Sequence, residues 1–392
     1  MKQQNPAPPH NRVTLDDLKN DTRKPSIAFF LPHAGDGGVE RRFLKLIDYL
    51  NERGVVIDLV LAAYTGARLP SVPDGVRIID LESRNHRNQL FKNAKLFARY
   101  LTLVEPDVAH CAVDRINVSA ALGKFMSKSK TKLIIAQVTS IDLAEISWFK
   151  PTRILHYLSV RGAFPLADEY IAPSYGIADE LRSLMFMGKK KITGIHNPLL
   201  AEFTPYEGPK KYISAEKPAI VAVGRLSHEK DYPTLLKAFT LILKEKDCHL
   251  YILGEGKERP HIEALIATLG ISKNVSLVGF VDNSIEYMYE SDVFVLPSVK
   301  EGFGMVVLEA LVAGTKVVST DCKHGPAEIL DNEKYGRLVP IRDPNAMANA
   351  IIKTLDEPPR TPQEKEELQD YIAKFTYEKH AQKYIAALGL KL

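Results

Sequence analysis

Residues 297–330 read PSVKEGFGMVVLEALVAGTKVVSTDCKHGPAEIL, and this stretch decides the fold. Just before it, VFVL at 293–296 is an apolar run of strand length, read as a buried strand entering a turn. Residues 305–313 carry a helix pattern, and Gly314 is a natural C-terminal stop. Glu301 therefore falls in the strand-to-helix loop, and Glu309 rides the helix about one turn in. Between them, Gly302-Phe303-Gly304 frees backbone N–H groups at a helix N-terminus, where an anion is favoured. An anion seat with a carboxylate on either side suits a sugar carrying a diphosphate. The amides would meet the phosphates, and the carboxylates would accept hydrogen bonds from hydroxyls. A solvated acidic loop followed by an ordinary helix-surface glutamate has the same Glu-x7-Glu spacing, so the spacing alone does not decide the matter.

The surrounding residues do more. The segment resembles the signature of the family-4 retaining glycosyltransferases, which have the GT-B fold. Ser319 to Leu330, STDCKHGPAEIL, is similar to a bacterial subgroup that builds surface or lipid-linked glycans. AVGRLSHEKDYPTLLKAF at 222–239 matches a second motif, in which Arg225 and Lys230 take the places of two cations for the donor diphosphate. LPHAGDGGVERRFLKLIDYL at 31–50 is similar to the family's amino-terminal Gly-Gly loop, here Gly37 and Gly38, and the helix after it. Together these matches span residues 26–392.

Composition agrees. A chain of 392 residues suits two domains, and 45% hydrophobic with 26% charged residues is globular. The three cysteines, Cys111, Cys248 and Cys322, are far apart and in no metal-ligand spacing, which points to a reducing cytoplasm. The first 24 residues are polar and Pro-rich, without the apolar core of a signal peptide. No apolar run approaches the length of a membrane span. A net charge of +4 does not argue for nucleic acid.

Alternating strand and helix patterns predict parallel α/β sheets. Residues 26–31, 55–62, 76–80, 108–111, 133–137 and 169–172 read as strands of a first domain. Residues 219–223, 249–253, 275–278, 293–296 and 316–319 read as strands of a second. The expected organisation is a flexible tail over 1–24, an acceptor-side Rossmann-like domain over 25–200 and a linker over 201–217. A nucleotide-sugar-binding domain follows over 218–375, and the resemblance implies that a C-terminal helix over 376–392 packs back on the first domain. Two doubly wound domains facing a cleft place ligands at the carboxyl ends of their strands, where all three motifs fall.

Breaking an anomeric C–O bond leaves cationic character on the sugar and negative charge on the departing diphosphate. Arg225 can grip phosphate bidentately, and Lys230 adds a point charge. Helix N-termini behind Gly38 and Gly304 would aim dipoles at the same anion. The chain lacks Asp-x-Asp, the metal motif of the other main glycosyltransferase fold, so no metal or cofactor is expected. By resemblance, Glu309 binds the ribose and Glu301 the transferred sugar, with retention through a short-lived ion pair. Gly224, Gly254, Val281, Gly302, Phe303 and Gly304 would join Gly37, Gly38 and Glu309 around the donor. Gly254 opens GEGKER, which lacks the third glycine of a dinucleotide fingerprint. The commonest base in the subgroup is uracil, with guanine next.

On the amino-terminal side, many relatives carry a histidine at the end of the strand matching 133–137; here the stretch reads IIAQVTSID, with Val138 or Thr139 in its place. His110, ending a neighbouring strand, is then a catalytic candidate, although a lone strand-end histidine is often structural. His33 beside the Gly-Gly loop and His324 near the expected sugar are lesser candidates. Lys92, Lys95 and Arg99 share one helical face with Phe91, and Lys124, Lys128, Lys130 and Lys132 form a second basic stretch. Such surfaces suit anionic lipid, and ordinary solvated helix faces look the same. The expectation is a cytoplasmic enzyme, peripheral at the membrane, moving a hexose or N-acetylhexosamine from a UDP-sugar to a glycan or lipid-linked saccharide. A GT-B nucleotide-sugar epimerase and an inactive glycan-assembly subunit stay open as alternatives.

Overall fold

The computed structural model describes residues 11–35, 38–83, 89–137, 162, 164–185, 192–198, 212–213 and 217–390. The chain divides into two compact units, residues 1–196 with 380–392, and 197–379. Each unit is built on its own parallel sheet.

The first sheet contains β1 (Arg12–Thr14), β2 (Ile27–Leu31), β3 (Ile57–Leu61), β4 (Arg77–Asp80), β5 (Val108–Ala112), β6 (Lys132–Ala136), β7 (Glu169–Ala172) and β8 (Ile192–Gly194). Their order across the sheet is β1-β4-β3-β2-β5-β6-β7-β8. Strands β2, β3 and β5 are buried along their whole length, as the apolar runs IAFFL and IDLVL require when helices cover both faces. Helix α1 (Gly38–Asn51) lies over one face, and α2 (Leu90–Val104), α3 (Asp114–Ser127) and α4 (Tyr175–Met185) lie over the other.

The second sheet holds β9 (Ala219–Val223), β10 (His249–Leu253), β11 (Val275–Gly279), β12 (Val293–Leu296), β13 (Lys316–Thr320) and β14 (Arg337–Val339), in the order β11-β10-β9-β12-β13-β14. Its helices are α5 (Tyr232–Ile242), α6 (Arg259–Thr268), α7 (Ser284–Glu290), α8 (Met305–Val312), α9 (Pro326–Ile329), α10 (Pro344–Asp356) and α11 (Pro362–Ile372). Thr361 and Glu364 start α11 with a reciprocal capping box. The last helix, α12 (Tyr377–Leu388), enters the first unit at His380, and Tyr384 and Leu388 are buried in the first unit's core with Phe29, Phe43 and Ile47.

Two expectations need correction. The segment over 1–24 is not simply a flexible tail, because from Arg12 onward it is built into the fold. Val13 pairs with Ile79, and Leu15 and Leu18 are buried in the first core. The second basic stretch is a surface only in part: Lys128 and Lys130 are exposed, and Lys124 and Lys132 are engaged by the fold. Lys124 donates to the Thr131 carbonyl and is only 16% exposed, while Lys132 pairs with Glu169 at 2.9 Å.

Candidate active site

In a doubly wound sheet the ligand crevice lies outside the carboxyl ends of the strands, where the winding reverses. In the second unit that point falls between β9 and β12, whose neighbours lead away in opposite directions. The loop leaving β9 carries Gly224, Arg225 and Lys230, and the loop leaving β12 carries Ser298, Glu301 and Gly302. Lys230 and Glu301 are 71 residues apart in sequence, yet Lys230 Nζ lies 2.5 Å from Glu301 Oε1. The pair is half-sheltered, with 17% and 11% of the side chains exposed.

Ser298 holds the carboxylate in place. It is fully buried and its hydroxyl donates to Glu301 Oε1 at 2.7 Å, while Thr320 Oγ1 donates to the Ser298 carbonyl at 2.5 Å. Beyond Glu301, Phe303 turns inward to pack near Phe375, so its contribution to the loop is its backbone. Gly304 caps α8 at φ 86°, and Glu309 sits on the following turn. Burial pushes the Glu309 carboxyl above the ordinary carboxylate range, against a 3.5 Å hydrogen bond from Ser284 Oγ.

Neighbouring loops close around this centre. Lys300 and Lys323 form a parallel bridge between the β12 and β13 loops. Gly325, at φ 98°, approaches so near that a Cβ there would meet the Phe303 carbonyl oxygen at 2.0 Å, so only glycine fits. On the other side, a Cβ on Gly254 would meet the Gly224 carbonyl oxygen at 2.1 Å, and Gly254 N–H donates to the Gly279 carbonyl at 2.7 Å. The ends of β9, β10 and β11 thus form a ledge without side chains beside the charged pair, with Val281 half-buried just past it. Arg225 is exposed at the rim, and Tyr232 Oη donates to the Gly224 carbonyl at 2.9 Å behind it. Cys322 is buried next to this cluster, its thiol pushed up to about 12 by burial and by the charge of Glu301. Half-buried His324 takes φ 66° in the adjoining loop.

The first unit treats its candidates differently. His110 does not face solvent: it is fully buried, stacked on Phe43 at 4.9 Å and set edge-on to Phe29 and Tyr384. Its Nδ1 is 3.0 Å from the Ile134 carbonyl, and burial lowers its pKa to about 4. His110 is a core residue, which removes it as a catalytic candidate. Gly38 begins α1, whereas Gly37, Val138 and Thr139 lie outside the described residues. At the reversal point of this sheet Val113 takes φ 82°, an outlier for a β-branched residue.

Comparison with known proteins gives this geometry a lineage. Residues 36–201 match the family described as Glycosyltransferase Family 4, and residues 207–379 match that described as Glycosyl transferases group 1. The chain belongs to the family-4 glycosyltransferases. This glycosyltransferase is 26% identical to the N-acetylgalactosamine-N,N'-diacetylbacillosaminyl-diphospho-undecaprenol 4-alpha-N-acetylgalactosaminyltransferase of Campylobacter jejuni, over 84% of this chain and 90% of that one. It is also 26% identical to the lipopolysaccharide core biosynthesis glycosyltransferase LpsE of Rhizobium meliloti, over 91% and 97% of the two chains. Among solved structures, the lipopolysaccharide outer core galactosyltransferase WaaB superposes with a TM-score of 0.72 at 18% identity, covering 93% of this chain and 99% of that one. Anabaena HepE in complex with UDP gives 0.71 at 18% identity, with the same coverage. At that identity the superpositions speak to the fold, which is GT-B.

Sequence reasoning missed Ser298, Ser284 and Tyr232. The one available signal was that Ser298 lies three residues before Glu301 in the same strand-end loop.

Proposed function

We propose that this glycosyltransferase transfers a hexose or N-acetylhexosamine, with retention, from a UDP-sugar to a glycan or lipid-linked saccharide during surface-glycan synthesis. The observation that carries the reading is the Lys230–Glu301–Ser298 cluster at the reversal point of the second sheet, with Gly304 and Glu309 directly behind it. In this reading Arg225, Lys230 and the amides of the Gly302–Gly304 turn take the negative charge that develops on the leaving diphosphate. Glu309 accepts from the ribose hydroxyls and Glu301 from those of the transferred sugar. The cations and amides supply the electrostatic stabilisation, so turnover is expected to persist in EDTA. The UDP complex of HepE and the lipid-diphosphate acceptor in the Campylobacter relative's name favour the donor and acceptor classes.

The acceptor chemistry also suggests work at a membrane face of the cytoplasm. No helix among the described residues is long and apolar enough to cross a membrane. Phe91, Phe125 and Met126 are exposed on α2 and α3, near exposed Lys92, Lys95, Lys128 and Lys130, which suits peripheral binding to anionic lipid. Flotation with phosphatidylglycerol vesicles tests this: exchanging those four lysines for glutamine should release the protein, and unchanged flotation counts against it.

The donor assignment is tested by thermal shift and donor hydrolysis across UDP-, GDP- and ADP-sugars, for wild type and Glu309→Ala. A donor at about 100 times its Kd should stabilise by about 2.7 kcal/mol, lost in the variant. No shift with any donor would sink the assignment.

A further inference from the structure

The Lys230–Glu301 contact has a consequence for which ligand the site prefers. It holds for a site that binds the donor as proposed above. Lys230 is a compact ammonium, and one such group cannot serve two anions at full strength. Its Nζ is 2.5 Å from Glu301 Oε1 in a half-sheltered position, where solvent screens the pair only partly. The carboxylate is not loosely placed. Oε1 also accepts from buried Ser298 at 2.7 Å, and Ser298 is fixed in turn by Thr320. Both bonds fall on Oε1, and Oε2 has no hydrogen-bond partner among the described residues. The Lys230 stem also has a fixed course past Gly224, whose absent Cβ would lie 3.4 Å from Lys230 Cε.

We propose that Glu301, oriented by Ser298, competes with the nucleoside diphosphate for Lys230, so that the site holds the spent nucleotide weakly and the intact donor well. A nucleoside diphosphate alone must draw Lys230 from Glu301 and offers that carboxylate nothing in return. A donor that still carries its sugar brings hydroxyls to Glu301, so the carboxylate regains hydrogen bonds as the ammonium turns to phosphate. The same carboxylate therefore disfavours the product and favours the substrate, which speeds product departure. Ser298 acts through Glu301 and is a positioning residue.

Calorimetric titration of UDP and of inorganic pyrophosphate into wild type, Glu301→Gln, Lys230→Met, Ser298→Ala and the Lys230→Met/Glu301→Gln double variant tests this. Melting curves establish that each variant is folded. In Glu301→Gln, UDP and pyrophosphate should bind roughly fivefold tighter, about 1 kcal/mol, while UDP-sugar binding weakens. Ser298→Ala should move both ligands in the same directions by less, a split that a merely structural role would not produce. In the Lys230→Met background the gain from Glu301→Gln should vanish. If Glu301→Gln binds UDP no tighter than wild type while Lys230→Met still weakens it, the competition is wrong and the donor site stands. If neither wild type nor any variant binds UDP, pyrophosphate or a UDP-sugar, the donor reading falls and takes this inference with it.

Discussion

Each unit of the chain joins a cation to a carboxylate and a hydroxyl, but the two clusters are built for opposite ends. In the first unit, Asp58 on β3 lies opposite Arg77 on β4 and is completely buried. Its Oδ1 accepts from Arg77 Nε at 2.9 Å, and its Oδ2 accepts from Arg77 Nη2 and Tyr100 Oη, both at 2.7 Å. Asp21 closes the far side of the guanidinium and so fastens the N-terminal segment to the sheet. Both carboxylate oxygens are taken, and burial pushes the Tyr100 hydroxyl well above its ordinary pKa, helped by the Asp58 charge. In the second unit, Glu301 keeps one oxygen unbonded among the described residues, in a half-sheltered pair at a strand end. A saturated, dry cluster holds a fold together, whereas an unsaturated one at a crevice can exchange partners.

The sharpest way to break this contrast is to remove one carboxylate from each cluster. Asp58→Ala leaves a buried guanidinium short of its main partner and should cost about 3–5 kcal/mol in urea unfolding. Glu301→Ala, in a partly hydrated pair, should cost about 1 kcal/mol or less while abolishing most transfer. Equal stability losses would erase the distinction.

A second test uses pH, because the first unit also buries two histidines, His110 and His380, in the neutral form. Burial lowers His110 and His380 to about 4, from an ordinary 6.5. Between those values the unfolded chain binds protons that the folded chain refuses, so stability is full above pH 6.5 and falls as pH drops toward 4. The slope should be roughly 1.4 kcal/mol per pH unit for each histidine while both limits hold. His110→Phe, which keeps an aromatic ring against Phe43, should flatten the melting-temperature profile over that range, and an unchanged slope would show that His110 contributes nothing to it.

The smallest effect concerns Glu309. Its 3.5 Å bond from Ser284 is long, so Ser284→Ala should weaken donor binding only about twofold, roughly 0.4 kcal/mol, by titration. A tenfold loss would show that Ser284 meets the donor itself.

Much of this architecture could be read from the sequence, since buried parallel strands appear as uninterrupted apolar runs: β7, β9, β10 and β12 fall on the boundaries expected for them. The three strands that went unread, β1 (RVT), β8 (ITG) and β14 (RLV), are three-residue edge strands, too short to show a period. At the site, Glu301, Gly304 and Glu309 were visible because they lie within one short segment. The Lys230–Glu301 pair was not, because only the sheet order brings β9 and β12 side by side. His110 was misread for the reciprocal reason. A strand-end histidine looks exposed until α1 supplies Phe43 and α12 supplies Tyr384 to enclose it.

That last enclosure bears on how the protein is made. Tyr384 and Leu388 complete the first unit's core, yet the ribosome reaches them only after translating the whole second unit. The domain synthesised first is therefore the one finished last, and its nascent form must emerge with the surface beside Phe43 and Ile47 uncovered. A chaperone that shields apolar surface on growing chains would find its longest-lived client site there, and a premature stop anywhere in the second unit would damage both halves at once.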